Sequence, residues 1–166
     1  MNKILRLTFV TLLALVSNMM LANEAYKTLT FPDDNKADNK VGSYAKTWTA
    51  KIGDFSWEIT NFNNNNWSNW TYIKCGSKNG ASIASIATSS AMDKAIGIVL
   101  VTIDKITAAN VNSISLEVAS DAAFSHVKET VKAAKLEKGD MQFKVSAPAA
   151  NLYYKLVFDC SAGSSN

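Results

Sequence analysis

The sequence predicts an all-β fold, two antiparallel sheets packed as a sandwich behind a cleavable leader. Three observations carry that expectation. Short runs with strict apolar–polar alternation recur, as in residues 112–119 (NSISLEVA), 141–146 (MQFKVS) and 152–160 (LYYKLVFDC). Turn-forming segments separate them at intervals of about 8–12 residues or slightly more, the rhythm of a β-sandwich. Residues 1–22 have the layout of a secretory signal peptide, with Lys3 and Arg6 ahead of an apolar run that ends near the small residue Ala22. Cleavage after Ala22 leaves residues 23–166 as a single domain, long enough for a real core; Ala25 is the alternative cleavage point.

Taken in order, residues 26–31 (YKTLTF) alternate and read as a first strand with Leu29 and Phe31 on one face. A polar loop follows (32–40, PDDNKADNK). Residues 47–52 and 55–62 form a hairpin joined by Gly53-Asp54, a pair suited to a tight turn. The asparagine run 63–66 breaks the strand, and 70–74 resumes extended structure. Residues 81–88 read as a short strand. The long apolar run 95–106 (AIGIVLVTIDKI), rich in Ile and Val, reads as a central strand buried on both faces. In 112–119, Ile114, Leu116 and Val118 face inward. Residues 121–139 carry helical spacing at Phe124, Val127, Val131 and Ala134, but the bracketing strands favour a turn at 120–124 and a strand at 127–134.

Composition excludes several functions. Lys3 and Arg6 lie in the leader, so the mature chain has 15 lysines against 14 acidic residues, a net charge of +1, and no arginine. A near-neutral chain without the guanidinium fork is a poor nucleic-acid binder. The apolar part of the leader is too short and interrupted to span a membrane, so the chain is expected to be exported to the periplasm, the cell surface or the medium. One histidine, His126, and two cysteines fall short of the about four Cys/His ligands a structural zinc site wants, so zinc is not expected. The oxygen-rich loop Asp33, Asp34, Asn35, Asp38 and Asn39 misses the EF-hand spacing and reads as a solvated turn. No metal or cofactor is expected. No constellation with catalytic roles is legible, so an enzyme is not expected. Cys75 and Cys160 allow one pairing in an exported chain, a disulfide or two buried thiols.

The chemistry-bearing stretch is 44–75, which holds all four tryptophans, Trp48, Trp57, Trp67 and Trp70. Trp48 and Trp57 sit inside alternating strands and read as core. Trp67 and Trp70 flank an amide-rich segment, and burial there is costly unless every amide is paired. Sugar C–H faces stack on aromatic rings while amides bond the hydroxyls. The candidate ligand-binding residues are therefore Trp67, Trp70, Tyr72, Asn64, Asn66 and Asn69, and the candidate partner is a glycan or polysaccharide. The alternative is a structural or adhesive domain of a larger surface protein, without a small ligand.

Residues 113–127 (SISLEVASDAAFSHV), in which an alternating strand runs into Ser120-Asp121 and then Phe124 before a second strand, resemble galactose-binding-like jelly-roll modules of the discoidin and carbohydrate-binding-module kind. Residues 94–103 look like the central strand of such modules, and 152–158 like their late strand. The same spans are similar to exported β-sandwich domains of gut bacteroidete surface proteins. The resemblance implies a jelly-roll sandwich and a binding role. Modules of this kind place one more strand after the point where residues 161–166 (SAGSSN) form a turn. The expectation is thus a domain lacking its last strand, or one whose edge at 26–31 is covered by a partner chain.

Overall fold

The computed structural model describes residues 25–64 and 70–163. Residues 1–24, on which the expected leader falls, 65–69 and 164–166 lie outside the described set. Eight strands are present among the described residues: β1 (Thr47–Ile52), β2 (Phe55–Thr60), β3 (Ser82–Thr88), β4 (Ile98–Ile103), β5 (Val111–Ala119), β6 (Val127–Lys132), β7 (Gly139–Lys144) and β8 (Tyr153–Cys160), with one 3-10 turn at Ala108–Asn110. They form two antiparallel sheets, a six-stranded one in the order β1-β2-β3-β8-β5-β6 and a two-stranded one of β4 and β7. The all-β expectation holds, and the segment with helical spacing is the strand β6.

The register explains the core. Trp48, Ile59, Ile86, Leu156, Leu116 and Val131 stand opposite one another in turn, a continuous apolar row across all six strands. Directly paired residues share a face, so parallel rows through Trp57, Phe158 and Ile114 point the same way. Met141 and Phe143 of β7 are buried, as is Val145 just beyond it, and Val99, Val101 and Ile103 of β4 pack on the same core. The opposite face of the large sheet is mostly polar or small, with Thr49, Glu58, Ser85, Lys155 and Glu117, and carries Ile83 and Val157 among them; Lys155 and Glu117 meet across it at 2.6 Å.

The β1–β2 hairpin turns at Gly53 with φ +58°, open to glycine without steric cost.

Three expectations are corrected. Residues 26–31 form no strand; Leu29 and Phe31 do turn inward, so the alternation marks one-sided burial without a backbone partner. Residues 70–74 are no strand either; Asn63 and Lys74 form a single antiparallel bridge, with both N–H···O=C bonds at 2.8–2.9 Å. The run 95–106 is not central. Its strand, β4, lies in the two-stranded sheet with Ile98 50% and Leu100 57% exposed. Of the central strands of the large sheet, β8 alternates, with Tyr153, Lys155, Val157 and Asp159 opposite its buried face, whereas β3 (SIASIAT) is built of small and apolar residues without that alternation.

Candidate functional site

The described part of the stretch 44–75 is built into the core. Trp48 and Trp57 are buried, as their alternation in β1 and β2 requires. Trp70 is 0% exposed. Its ring centroid lies 5.4 Å from that of Phe31 and 6.0 Å from that of Trp48, the latter edge-on at 86°. Trp48 donates its indole N–H to the Phe62 carbonyl at 3.3 Å, while the Trp70 indole N–H is buried without a partner among the described residues. The inward turn of Phe31 supplies one wall of this cluster.

The asparagines are structural where they are described. Asn64 is fully buried and imitates a strand partner: its Oδ1 accepts the Val41 N–H at 3.1 Å, its Nδ2 donates to the Asn39 carbonyl, and its own N–H donates to the Val41 carbonyl at 3.1 Å. Burial of the amide is tolerated because its side chain replaces a missing backbone partner. Asn63 is buried through its backbone bridge to Lys74, and its Oδ1 is unpartnered among the described residues. Of the candidate binding residues, Trp70 and Asn64 are therefore core, Tyr72 is 44% exposed, and Trp67, Asn66 and Asn69 lie outside the described residues.

The oxygen-rich loop covers the open edge of β1. Asp33, although buried, accepts the Lys51 N–H at 2.8 Å through Oδ2, and Asn39 Nδ2 bonds the same oxygen at 3.1 Å. Asn39 Nδ2 also donates to the Thr49 carbonyl at 2.7 Å, Asp34 N–H to the Lys51 carbonyl at 2.8 Å, and Asp34 Oδ2 accepts the Gly53 N–H at 2.7 Å. Side chains thus satisfy backbone groups that an edge strand leaves free. Asp33 and Asn39 are not simply solvated; Asp33 Oδ2 and the Asn39 amide are spent on β1, while Asp33 Oδ1 is buried without a partner among the described residues. Among the described residues no three His, Cys, Asp or Glu side chains gather as a metal site would need.

The structure does bring Cys75 and Cys160 together, with Sγ atoms 3.9 Å apart and both thiols free. The hydrogen bond to Cys160, with burial, pushes the Cys75 thiol up from its ordinary range.

At the β5–β6 turn, Asp121 holds the loop: Oδ1 accepts the Ser125 N–H at 3.1 Å and hydroxyl at 2.8 Å, and Oδ2 accepts the His126 N–H at 2.8 Å. The Ser125 N–H is the main cause that holds the Asp121 carboxyl well below the usual carboxylate range. Phe124 takes φ +55° within this turn. Ser125 directly precedes His126, and its Oγ lies 3.5 Å from Nδ1, the nitrogen already 3.2 Å from Asp121. A catalytic triad places serine and acid on opposite imidazole nitrogens, so these three form a turn clamp.

A shallow hollow beside β6 is lined by Lys128, Glu129 and Ser146, and the Glu129 carboxylate is engaged by the Ser146 N–H at 3.0 Å. It contains no aromatic platform. The surface feature that sequence reading missed is β4, whose apolar side chains reach solvent; a continuous apolar run conceals such exposure because it also describes a doubly buried strand. Comparison with protein-family descriptions, with curated proteins and with solved structures returns no match to this chain.

Proposed function

We propose that this chain is an exported structural or adhesive β-sandwich, a module of a larger surface assembly that takes no small ligand through its tryptophan cluster. The observation that carries the reading is the complete burial of Trp70 against Phe31 and Trp48. A ring that stacks on a sugar must offer a face to solvent, and this ring has none. The fully paired, fully buried Asn64 removes an amide from the same surface. Winding supports the finer jelly-roll reading: after β3 the chain crosses to β4, returns for β5 and β6, crosses to β7 and returns to β8.

Titration of the mature protein against a glycan array tests the proposal. No binding is expected. Saturable binding that is lost in the double variant Trp67→Ala, Tyr72→Ala would overturn it in favour of the second reading, a carbohydrate-binding module, which is favoured by the 44% exposure of Tyr72.

A further inference from the structure

We propose that β4 is a self-association edge, which pairs antiparallel with β4 of a second copy of this chain to make a continuous four-stranded sheet β7-β4-β4-β7. The first observation is the state of the sheet edges. The edge of β1 is covered by the Asp33–Asn39 loop. That of β6 carries Lys128 and Lys132, charges that discourage pairing. β4 is IVLVTI, uncharged and β-branched, and pairs only with β7. No hydrogen bond to another strand or loop runs from its other side among the described residues.

The phase of that free edge follows from one bond. Val145 N–H donates to the Gly97 carbonyl at 2.9 Å, so residue 97 and, by the two-residue period, Val99, Val101 and Ile103 turn their backbone groups toward β7. Ile98, Leu100 and Thr102 turn theirs outward. In a two-fold antiparallel pair centred on Leu100, Ile98 faces the second copy's Thr102 and Leu100 faces Leu100. Each such pair exchanges two hydrogen bonds, about six in all. Val99 meets Val101 on the other face.

Charge selects this occupant and orientation. Exposed Lys94, over the Tyr26 ring, lies four residues before the strand, and exposed Asp104, which meets Lys138 of its own chain at 3.7 Å across solvent, lies just after it. Antiparallel pairing brings Lys94 of one copy diagonally beside Asp104 of the other, within reach of long side chains. Parallel pairing would set like on like. Ile98 and Leu100, about half exposed in one copy, gain an apolar neighbour across the new junction.

The inference rests on the reading of the chain as an assembly domain, and it fails separately from it. Sedimentation equilibrium of the mature protein, with the leader absent, is the test. The expected result is a reversible dimer, a dissociation constant raised at least tenfold by Leu100→Lys, which sets lysine against lysine on the two-fold axis, and an unchanged constant in Ile83→Lys. Ile83 is 60% exposed on the outer face of the large sheet, so it controls for lost surface apolarity. A wild type that stays monomeric at all concentrations overturns the pairing, as does a Leu100→Lys dimer of wild-type strength. Amide exchange gives a readout independent of any variant: the Ile98, Leu100 and Thr102 amides should slow as protein concentration rises, and rapid exchange at every concentration overturns the proposal. A glycan-array hit would remove the assembly reading without bearing on the dimer.

Discussion

Replacing Trp70 by alanine separates a core ring from a binding ring. A buried tryptophan removes about 150–250 Å² from water, about 4–6 kcal/mol at 25 cal/mol per Å². Alanine keeps a small part of that. The indole N–H, buried without a partner among the described residues, costs about 1–3 kcal/mol in the wild type, and the substitution relieves it. Two ring contacts, to Phe31 and Trp48, are lost at about 0.5–1.5 kcal/mol each. The net expectation is a loss of about 3–5 kcal/mol, the usual range for such truncations. Trp70→Phe, which keeps most of the ring packing and removes the orphan donor, should cost clearly less. Urea unfolding followed by far-UV circular dichroism, with linear extrapolation, measures both. A Trp70→Ala protein that loses less than about 1 kcal/mol at an unchanged m-value would refute the packing argument.

Asn64→Asp should destabilise by about 3–5 kcal/mol at neutral pH, because a carboxylate would face the Asn39 carbonyl in a buried site; its raised folded pKa makes the deficit shrink as pH falls toward 4, and urea midpoints equal to wild type at pH 7 would contradict this. Oxidation of Cys75 and Cys160, 85 residues apart in sequence, should form one bridge and add about 4–5 kcal/mol in the chain-entropy model. Alkylation of both thiols in native material purified without reductant from an oxidising compartment would count against it. The Asp121 clamp should contribute stability that is complete above the ordinary carboxylate pKa, near pH 4, and is lost as pH falls through the depressed folded value. The gap in unfolding midpoint between wild type and Asp121→Ala should therefore close under acid, and a gap independent of pH would show that the clamp does not act through its charge.

The strands β5 and β8 of the large sheet were legible because they meet the core on one face and the outer face of the sheet on the other. Val111–Ala119 and Tyr153–Cys160 carry that alternation in their letters. β6 was legible only from its neighbours, since its burial is slight and the helical spacing of Phe124 to Ala134 competes with it. The site was less readable. Nothing in the letters says that Phe31 folds back onto Trp70, or that Asn64 faces Val41 from 23 residues away; both depend on loops whose course the strands do not fix. The Asp33 loop was read as solvated because Asp and Asn favour turns, yet the same groups are suited to saturating the backbone of an edge strand. β4 misled for a related reason. Apolar residues on two faces imply two-sided burial only if something lies on both sides, and strand order is set by tertiary pairing.

Acrylamide quenching of a Trp67→Phe protein, which leaves Trp48, Trp57 and Trp70 as the emitters, tests most directly whether the described tryptophans are core. All three are buried, so quenching should be weak and blue-shifted emission should persist until urea unfolds the chain. Native emission quenched as readily as free indole would place at least one of these rings at the surface and contradict the assignment of the cluster to the core.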